Sequence, residues 1–216
     1  MRARRQRDHR RRRRRTIFID YLTVMMVAVV AGAVLTVVYG LMFLEAPLAE
    51  QRPWGWAFGI VGLLLGTTGL HLVLTWPLPG AYNIVMGEPA LYFGLVLLGT
   101  AFAIRAGDSL MPLAVLAFFG GMANIFLSIA MLVHGLSRNP PLWAAAYAAI
   151  GLAAVLSPLV VYRVRQLRWA PLVAGVLLAV GALIFALGGY GAYIEHTSAE
   201  EGFGEWLPPA MREGPE

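Results

Sequence analysis

Six long apolar stretches alternate with short polar separators along most of the chain. The stretches cover residues 17–44, 54–76, 89–104, 110–133, 142–162 and 170–194. A helix needs about 20 apolar residues to cross the roughly 30 Å hydrocarbon core of a bilayer, and all but the third stretch reach that length. Short separators favour antiparallel neighbours, and the alternating strands typical of membrane barrels do not occur. The pattern predicts an all-α fold, a polytopic membrane helix bundle with about six transmembrane helices.

The composition agrees with this prediction. Hydrophobic residues make up 59% of the chain and charged residues 13%, with a mean hydropathy of +0.68, whereas soluble domains contain about a quarter charged residues. Cysteine is absent, which excludes disulfides, thiolate metal sites and cysteine nucleophiles. No nucleophile elbow, phosphate-binding loop or dinucleotide fingerprint occurs, so nothing in the sequence favours an enzyme.

Charge divides the chain into three parts. Residues 1–16 form a basic tail, residues 17–194 the six-helix transmembrane domain, and residues 195–216 an acidic tail. Both tails are expected to be disordered. The positive-inside rule places the basic tail in the cytoplasm of a cell-membrane protein. Six crossings then return the C-terminus to the cytoplasm as well.

The basic tail also bears on the partners of the protein. Its ten arginines outweigh Arg163, Arg165 and Arg168, whose loop lies outside in this topology, against the positive-inside rule. The tail is expected to bind anionic lipid, where each arginine contributes about 1 kcal/mol. Nucleic-acid binding is not predicted, because the tail has no interleaved aromatic residues. Besides the lipid bilayer, a membrane-protein partner or a second copy of the chain remains a predicted partner.

The second apolar stretch carries small residues along one helical face. They recur at spacings of three and four, as Gly55, Gly59, Gly62, Gly66 and Gly69. Such a face lets a neighbouring helix approach closely. Polar residues follow a similar spacing on the opposite side, namely Thr67, Thr68, His71 and Thr75. We therefore expect protein on both sides of this helix.

Two ionisable residues near the membrane boundary are the first candidates for function, because charge at membrane depth is costly. If Trp54 and Trp76 anchor the second helix at the two interfaces, His71 lies about 7 Å inside the inner boundary. The third stretch is only about 24 Å long, which places Glu88 below the same boundary. The sequence predicts that the side chains of His71 and Glu88 lie within direct or one-water hydrogen-bonding reach.

Other polar residues are expected around this pair. Asn83 and His134 complete the predicted site on the cytoplasmic side, and the secondary candidates are Asp20, Tyr82, Asn124 and Asn139. A histidine beside a carboxylate can relay protons. His71, His134 and Glu88 would also form an open metal site, but no HxxxH or ExxH spacing supports a metal. Haem is indicated more weakly still, so no cofactor is strongly implied.

These candidates also have a structural interpretation. Pro89 suits the first position of a helix and Glu88 the positive end of its dipole, so the carboxylate can be a helix cap. His134 is typical of an interfacial histidine. Interhelical hydrogen bonding accounts for Asn124 and Ser128.

Three segments resemble a known family. They read FIDYLTVMM, TWPLPGAYNIVMGEPALYFG and HGLSRNPPLWA, and they are similar to the uncharacterised bacterial and archaeal membrane proteins grouped as domain of unknown function 981. The resemblance covers roughly residues 17–160 and implies a compact multi-pass helical protein without supplying an activity. It also implies that the family's motifs include Asp20, Tyr82, Asn83, Glu88 and Asn139.

Three functions fit these features. The first is the handling of a proton, a cation or a small solute through a shallow polar site of His71, Asn83 and Glu88, since transporters place short, broken helices beside such sites. The second is a haem- or metal-binding membrane redox protein, and the third is an accessory subunit of a larger membrane complex. The sequence favours the first.

Overall fold

The computed structural model describes residues 21–163, 167 and 169–198, and these residues form helices and no strand. The helices are α1 Leu22–Val38, α2 Leu48–Thr75, α3 Tyr82–Ala106, α4 Met111–His134, α5 Pro140–Val155, α6 Ser157–Arg163 and α7 Trp169–Thr197, and a π-helical segment, Tyr39–Phe43, extends α1. The predicted basic tail, Asp20, Arg165, Arg168 and the acidic tail from residue 199 onward lie outside the described residues.

Six of the described helical segments are long and apolar enough to cross a membrane. The π-helical segment belongs to the first of them, and α5 and α6 together make the fifth, Pro140–Tyr162. Between α5 and α6, Pro158 has no N–H to donate, and the Ser157 hydroxyl donates instead to the carbonyl of Ala154, at 2.6 Å. The predicted all-α bundle of about six transmembrane helices is confirmed.

The third span differs from its predicted form. The helix begins at Tyr82, not at Pro89, and its 25 residues reach roughly 38 Å, so the prediction of a short helix is wrong. A proline inside a helix deprives the carbonyl four residues earlier of its donor. Here that carbonyl belongs to Val85, and the hydroxyl of Tyr147 on α5 donates to it at 2.7 Å. The bundle itself thus supplies the hydrogen bond that Pro89 cannot make.

The glycines of α2 form the predicted packing face, and the neighbour is α3. A Cβ built on Gly62 would lie 2.5 Å from the backbone nitrogen of Leu98 and 2.8 Å from the carbonyl oxygen of Gly94. Gly55 is similarly close to α3, since its Cβ would lie 3.0 Å from the carbonyl oxygen of Ala101. No side chain fits between the two backbones at these positions.

The side of α2 away from α3 meets protein only in part. His71 contacts Tyr21, and α1 packs on α2. The exposed side chains of α2 are large and apolar, namely Trp56, Ile60, Leu63, Leu70 and Leu74. The hydroxyl groups of Thr67 and Thr68 donate to carbonyls of their own helix, at 2.8 Å each, so these two residues do not require a neighbouring helix. The expected protein contact is thus made with α1, and the exposed apolar side chains are suited to lipid.

The helices pack chiefly as pairs, with α2 on α3, α4 on α5, and α1 on α7. We call one end of the bundle the Tyr21 end. Contacts at this end join α7 to α1 and to the turn between α4 and α5. There Thr23 Oγ1 lies 3.3 Å from His196 Nδ1, and the exposed side chains of Arg138 and Glu195 are 3.8 Å apart. The other end, where α4 begins, is the Leu110 end.

Candidate functional site

His71 lies at the Tyr21 end, near the last turn of α2, and is half-buried. Its ring meets that of Tyr21 edge to face, with centroids 5.2 Å apart, and its Nε2 is 3.4 Å from Thr75 Oγ1. Burial raises the pKa of Tyr21, which keeps the hydroxyl neutral beside the imidazole. Among the described residues, the ring of His71 thus contacts Tyr21 and Thr75, and no carboxylate is bonded to it.

Glu88 is exposed on the second turn of α3. Among the described residues, no hydrogen bond or ion pair joins it to His71, so a direct contact is absent, and a contact through one water stays a prediction. The reason is the register of α3. Gly87 is buried against Leu72 of α2, and one residue further along a helix the side chain is turned by about 100°. Since α3 also begins earlier, Glu88 is not a cap of its first turn.

Asn83 is fully buried and belongs to the turn between α2 and α3. Its Oδ1 accepts from the backbone nitrogen of Leu78 at 2.9 Å, and its Nδ2 donates to the carbonyls of Leu78, at 2.5 Å, and Gly80, at 3.0 Å. All three partners are backbone groups of the turn. This pattern closes the turn and leaves the amide little capacity for a solute.

The other candidates are dispersed. His134 is exposed at the last residue of α4, and Asn139 caps α5, accepting from the nitrogen of Leu142 at 3.4 Å. Tyr82 is half-buried at the start of α3. In the described part of the chain, no three histidine, aspartate or glutamate side chains come together as metal ligands.

A cavity of about 580 Å³ lies between the helix pairs. At the Tyr21 end its wall includes Tyr82, Ser137 and Arg138, and at the Leu110 end Tyr39 and Leu110. It therefore extends along most of the bundle. Its volume falls within the range of small-molecule sites, which are mostly apolar with a few polar groups.

Apolar side chains form most of the wall, among them Met26, Val29, Phe93, Leu97, Ala117 and Ile150. Asn124 of α4 is the buried amide among them, 3% exposed. Its Nδ2 lies 3.5 Å from the carbonyl oxygen of Tyr147, and its Oδ1 has no partner among the described atoms. Of the predicted secondary candidates, the fold brings Tyr82 and the buried Asn124 to the wall of this cavity.

The cavity had little signature in the sequence. Its wall consists of single residues from several helices, and the space arises because the helices pack closely within pairs and less closely between them. The one signal for the cavity in the sequence is Asn124, a polar amide within an otherwise apolar helix. A polar residue at that depth is costly without a role.

Comparison with known proteins adds the family. Residues 16–199 match the profile of a family described as "Protein of unknown function (DUF981)". The match extends past the resemblance seen in residues 17–160 and takes in α6 and α7. No curated protein matches the chain, and no solved structure matches it. The chain belongs to the DUF981 family, whose profile covers the six described segments that are long and apolar enough to cross a membrane.

Proposed function

We propose that this multi-pass membrane protein handles a small, mostly apolar solute in the interior of its helix bundle. The observation that carries the proposal is the cavity of about 580 Å³ between the helix pairs. The side chains that line a space of this size lose packing contacts when it is empty. An apolar occupant restores those contacts.

The polar groups of the cavity favour such a solute over a proton or a cation. Thr36 and Thr100 donate to carbonyls of their own helices, at 2.7 and 2.8 Å, and Ser157 donates to the carbonyl of Ala154, at 2.6 Å. Ion pathways need rings of carbonyls or charged side chains that replace the hydration shell. Groups already bonded within the protein do not provide them.

The polar site predicted at the Tyr21 end remains a competing proposal for protons or cations. It now rests on His71 alone near the bundle and on Glu88 at the surface, because Asn83 is bonded within its turn. The glutamine variant Glu88→Gln separates the two proposals. Loss of solute binding in this variant would favour the polar site, whereas unchanged binding would favour the cavity.

The haem or metal function and the accessory-subunit function gain no support from the geometry. No three of the described histidine, aspartate and glutamate side chains come together as metal ligands. Large apolar side chains are exposed on the spans, as contact with lipid requires. Neither function explains the cavity.

The test is the binding of dodecyl methyl ether to the purified protein, measured by native mass spectrometry from detergent micelles. The ether has an apolar body and no hydrogen-bond donor. Ala117 lines the cavity, whereas Ala123 is exposed on the same helix. We expect the wild type and Ala123→Phe to bind the ether. Ala117→Phe places a ring in the cavity and should lose ether binding. Equal binding by the two variants would overturn the proposal.

A further inference from the structure

Asn124 gives the cavity a specific polar feature. The residue is 3% exposed, lies on the cavity wall and keeps a buried Oδ1 without a partner among the described atoms. A buried acceptor left unpaired lowers the stability of the fold. A buried acceptor of this kind is tolerated where a ligand or a water donates a hydrogen bond to it.

The orientation of the amide follows from its neighbour. The carbonyl oxygen of Tyr147 lies 3.5 Å from the amide nitrogen, and a carbonyl can only accept. The nitrogen of Asn124 must therefore face Tyr147, which leaves the oxygen as the group without a partner. Asn124 thus keeps a buried acceptor without a partner among the described atoms, and a ligand that pairs with it must donate.

Three other polar side chains of the cavity wall are already paired. Tyr147 donates to Val85, Tyr39 donates to Gln51 at 2.6 Å, and Ser157 donates to Ala154. The unpaired hydroxyl of Ser137 lies apart from them, in the turn between α4 and α5 at the Tyr21 end. One acceptor in an apolar wall fits a ligand that carries one donor on an apolar body.

We infer that the cavity binds a long-chain alcohol or a similar lipid-like molecule whose hydroxyl or N–H donates to Asn124 Oδ1. This inference rests on the proposed function, since it names the solute class of the same cavity. The apolar body of the molecule packs against Phe93, Leu97 and their neighbours. The single donor sets its position along the bundle.

The experiment compares dodecanol with dodecyl methyl ether, which differ in whether they carry a hydroxyl donor. Binding is measured by native mass spectrometry on the wild-type chain and on Asn124→Leu, which keeps the bulk and removes the acceptor. The control is Ser128→Ala. Ser128 is also buried on α4, but its hydroxyl donates to Ile125 of its own helix at 2.8 Å.

We expect the wild type and Ser128→Ala to bind dodecanol roughly three- to tenfold more tightly than the ether, which is the effect of one neutral hydrogen bond. Asn124→Leu should bind both molecules equally. Equal affinity of the wild type for the two molecules overturns the inference, because water then completes Asn124, and it leaves the proposed function intact. Absence of ether binding to the wild type contradicts the proposed function itself. The wild-type comparison decides the matter even if Asn124→Leu does not fold.

Discussion

The hydrogen bond from Tyr147 to Val85 should be worth more than an ordinary tyrosine hydrogen bond because of Pro89. In a regular helix the N–H of residue 89 would donate to the Val85 carbonyl, and proline has none. The Tyr147 hydroxyl, at 2.7 Å, supplies the missing donor inside a bundle where water is scarce. Tyr147→Phe removes that donor and leaves the carbonyl buried and unpaired.

The expected loss is about 1–3 kcal/mol of unfolding free energy, the cost of an unsatisfied buried polar group. In a Pro89→Ala background the loss of unfolding free energy should be about 0.5 kcal/mol. The backbone N–H of an alanine at this position donates to the Val85 carbonyl, so this carbonyl stays hydrogen-bonded when the Tyr147 hydroxyl is removed. The coupling between the two substitutions should therefore be on the order of 1–2 kcal/mol.

The assay is reversible unfolding by titration with sodium dodecyl sulfate in mixed micelles, followed by circular dichroism. All four members of the cycle are measured at the same detergent composition. Tyr190→Phe is the control, since Tyr190 is 53% exposed and its substitution should change the unfolding free energy by less than about 0.5 kcal/mol. An equal loss for Tyr147→Phe in the two backgrounds would refute the reasoning.

Three other predictions test the packing, the turn and the orientation. Gly62→Ala should lower the unfolding free energy by about 1–3 kcal/mol relative to Gly59→Ala in the same assay, because the new Cβ would meet α3 backbone at 2.5 Å in one case and the Ala101 side chain at 3.5 Å in the other; equal stability would refute the close packing. Asn83→Ala should lower the unfolding free energy by roughly 2–4 kcal/mol, since it leaves backbone groups of the turn unpaired. A loss of unfolding free energy below about 0.5 kcal/mol would contradict the structural role. The chain has no cysteine, so Asp108→Cys and Arg138→Cys each create a unique thiol, and an impermeant maleimide should label the first in intact cells and the second only after lysis; the reverse pattern would show the opposite orientation.

The sequence predicted the number of spans because the length and the apolar content of a helix are local properties. It also predicted the packing face of α2, since small residues spaced three and four apart lie on one side of any helix. Both predictions needed only the geometry of a single helix.

The predictions that failed depended on contacts between distant parts of the chain. The sequence favours Pro89 as a helix start because the residue that accommodates it within a helix, Tyr147, is far away in sequence. The shortened helix then placed Glu88 too deep and beside His71. A correct start at Tyr82 turns Glu88 to the surface, and the direct pairing disappears.

The candidate site in the structure differs from the predicted one because it also depends on contacts between distant parts of the chain. The sequence marks Asn124 as a polar residue of an apolar helix, but the space beside it is produced by the gaps between helix pairs. Hydrophobic periodicity predicts which face of a helix is buried. It does not predict how closely two buried faces approach each other. The cavity therefore could be found only in the fold.

Photolabelling tests the central claim, that the bundle interior holds the solute, most directly. An alkyl diazirine is bound to the protein in detergent, activated by light, and located by peptide mass spectrometry with and without excess dodecanol. We predict dodecanol-sensitive labels on cavity residues such as Met26, Phe93 and Ala117. Labels confined to lipid-facing residues such as Leu63 and Phe126, unchanged by dodecanol, would contradict the claim.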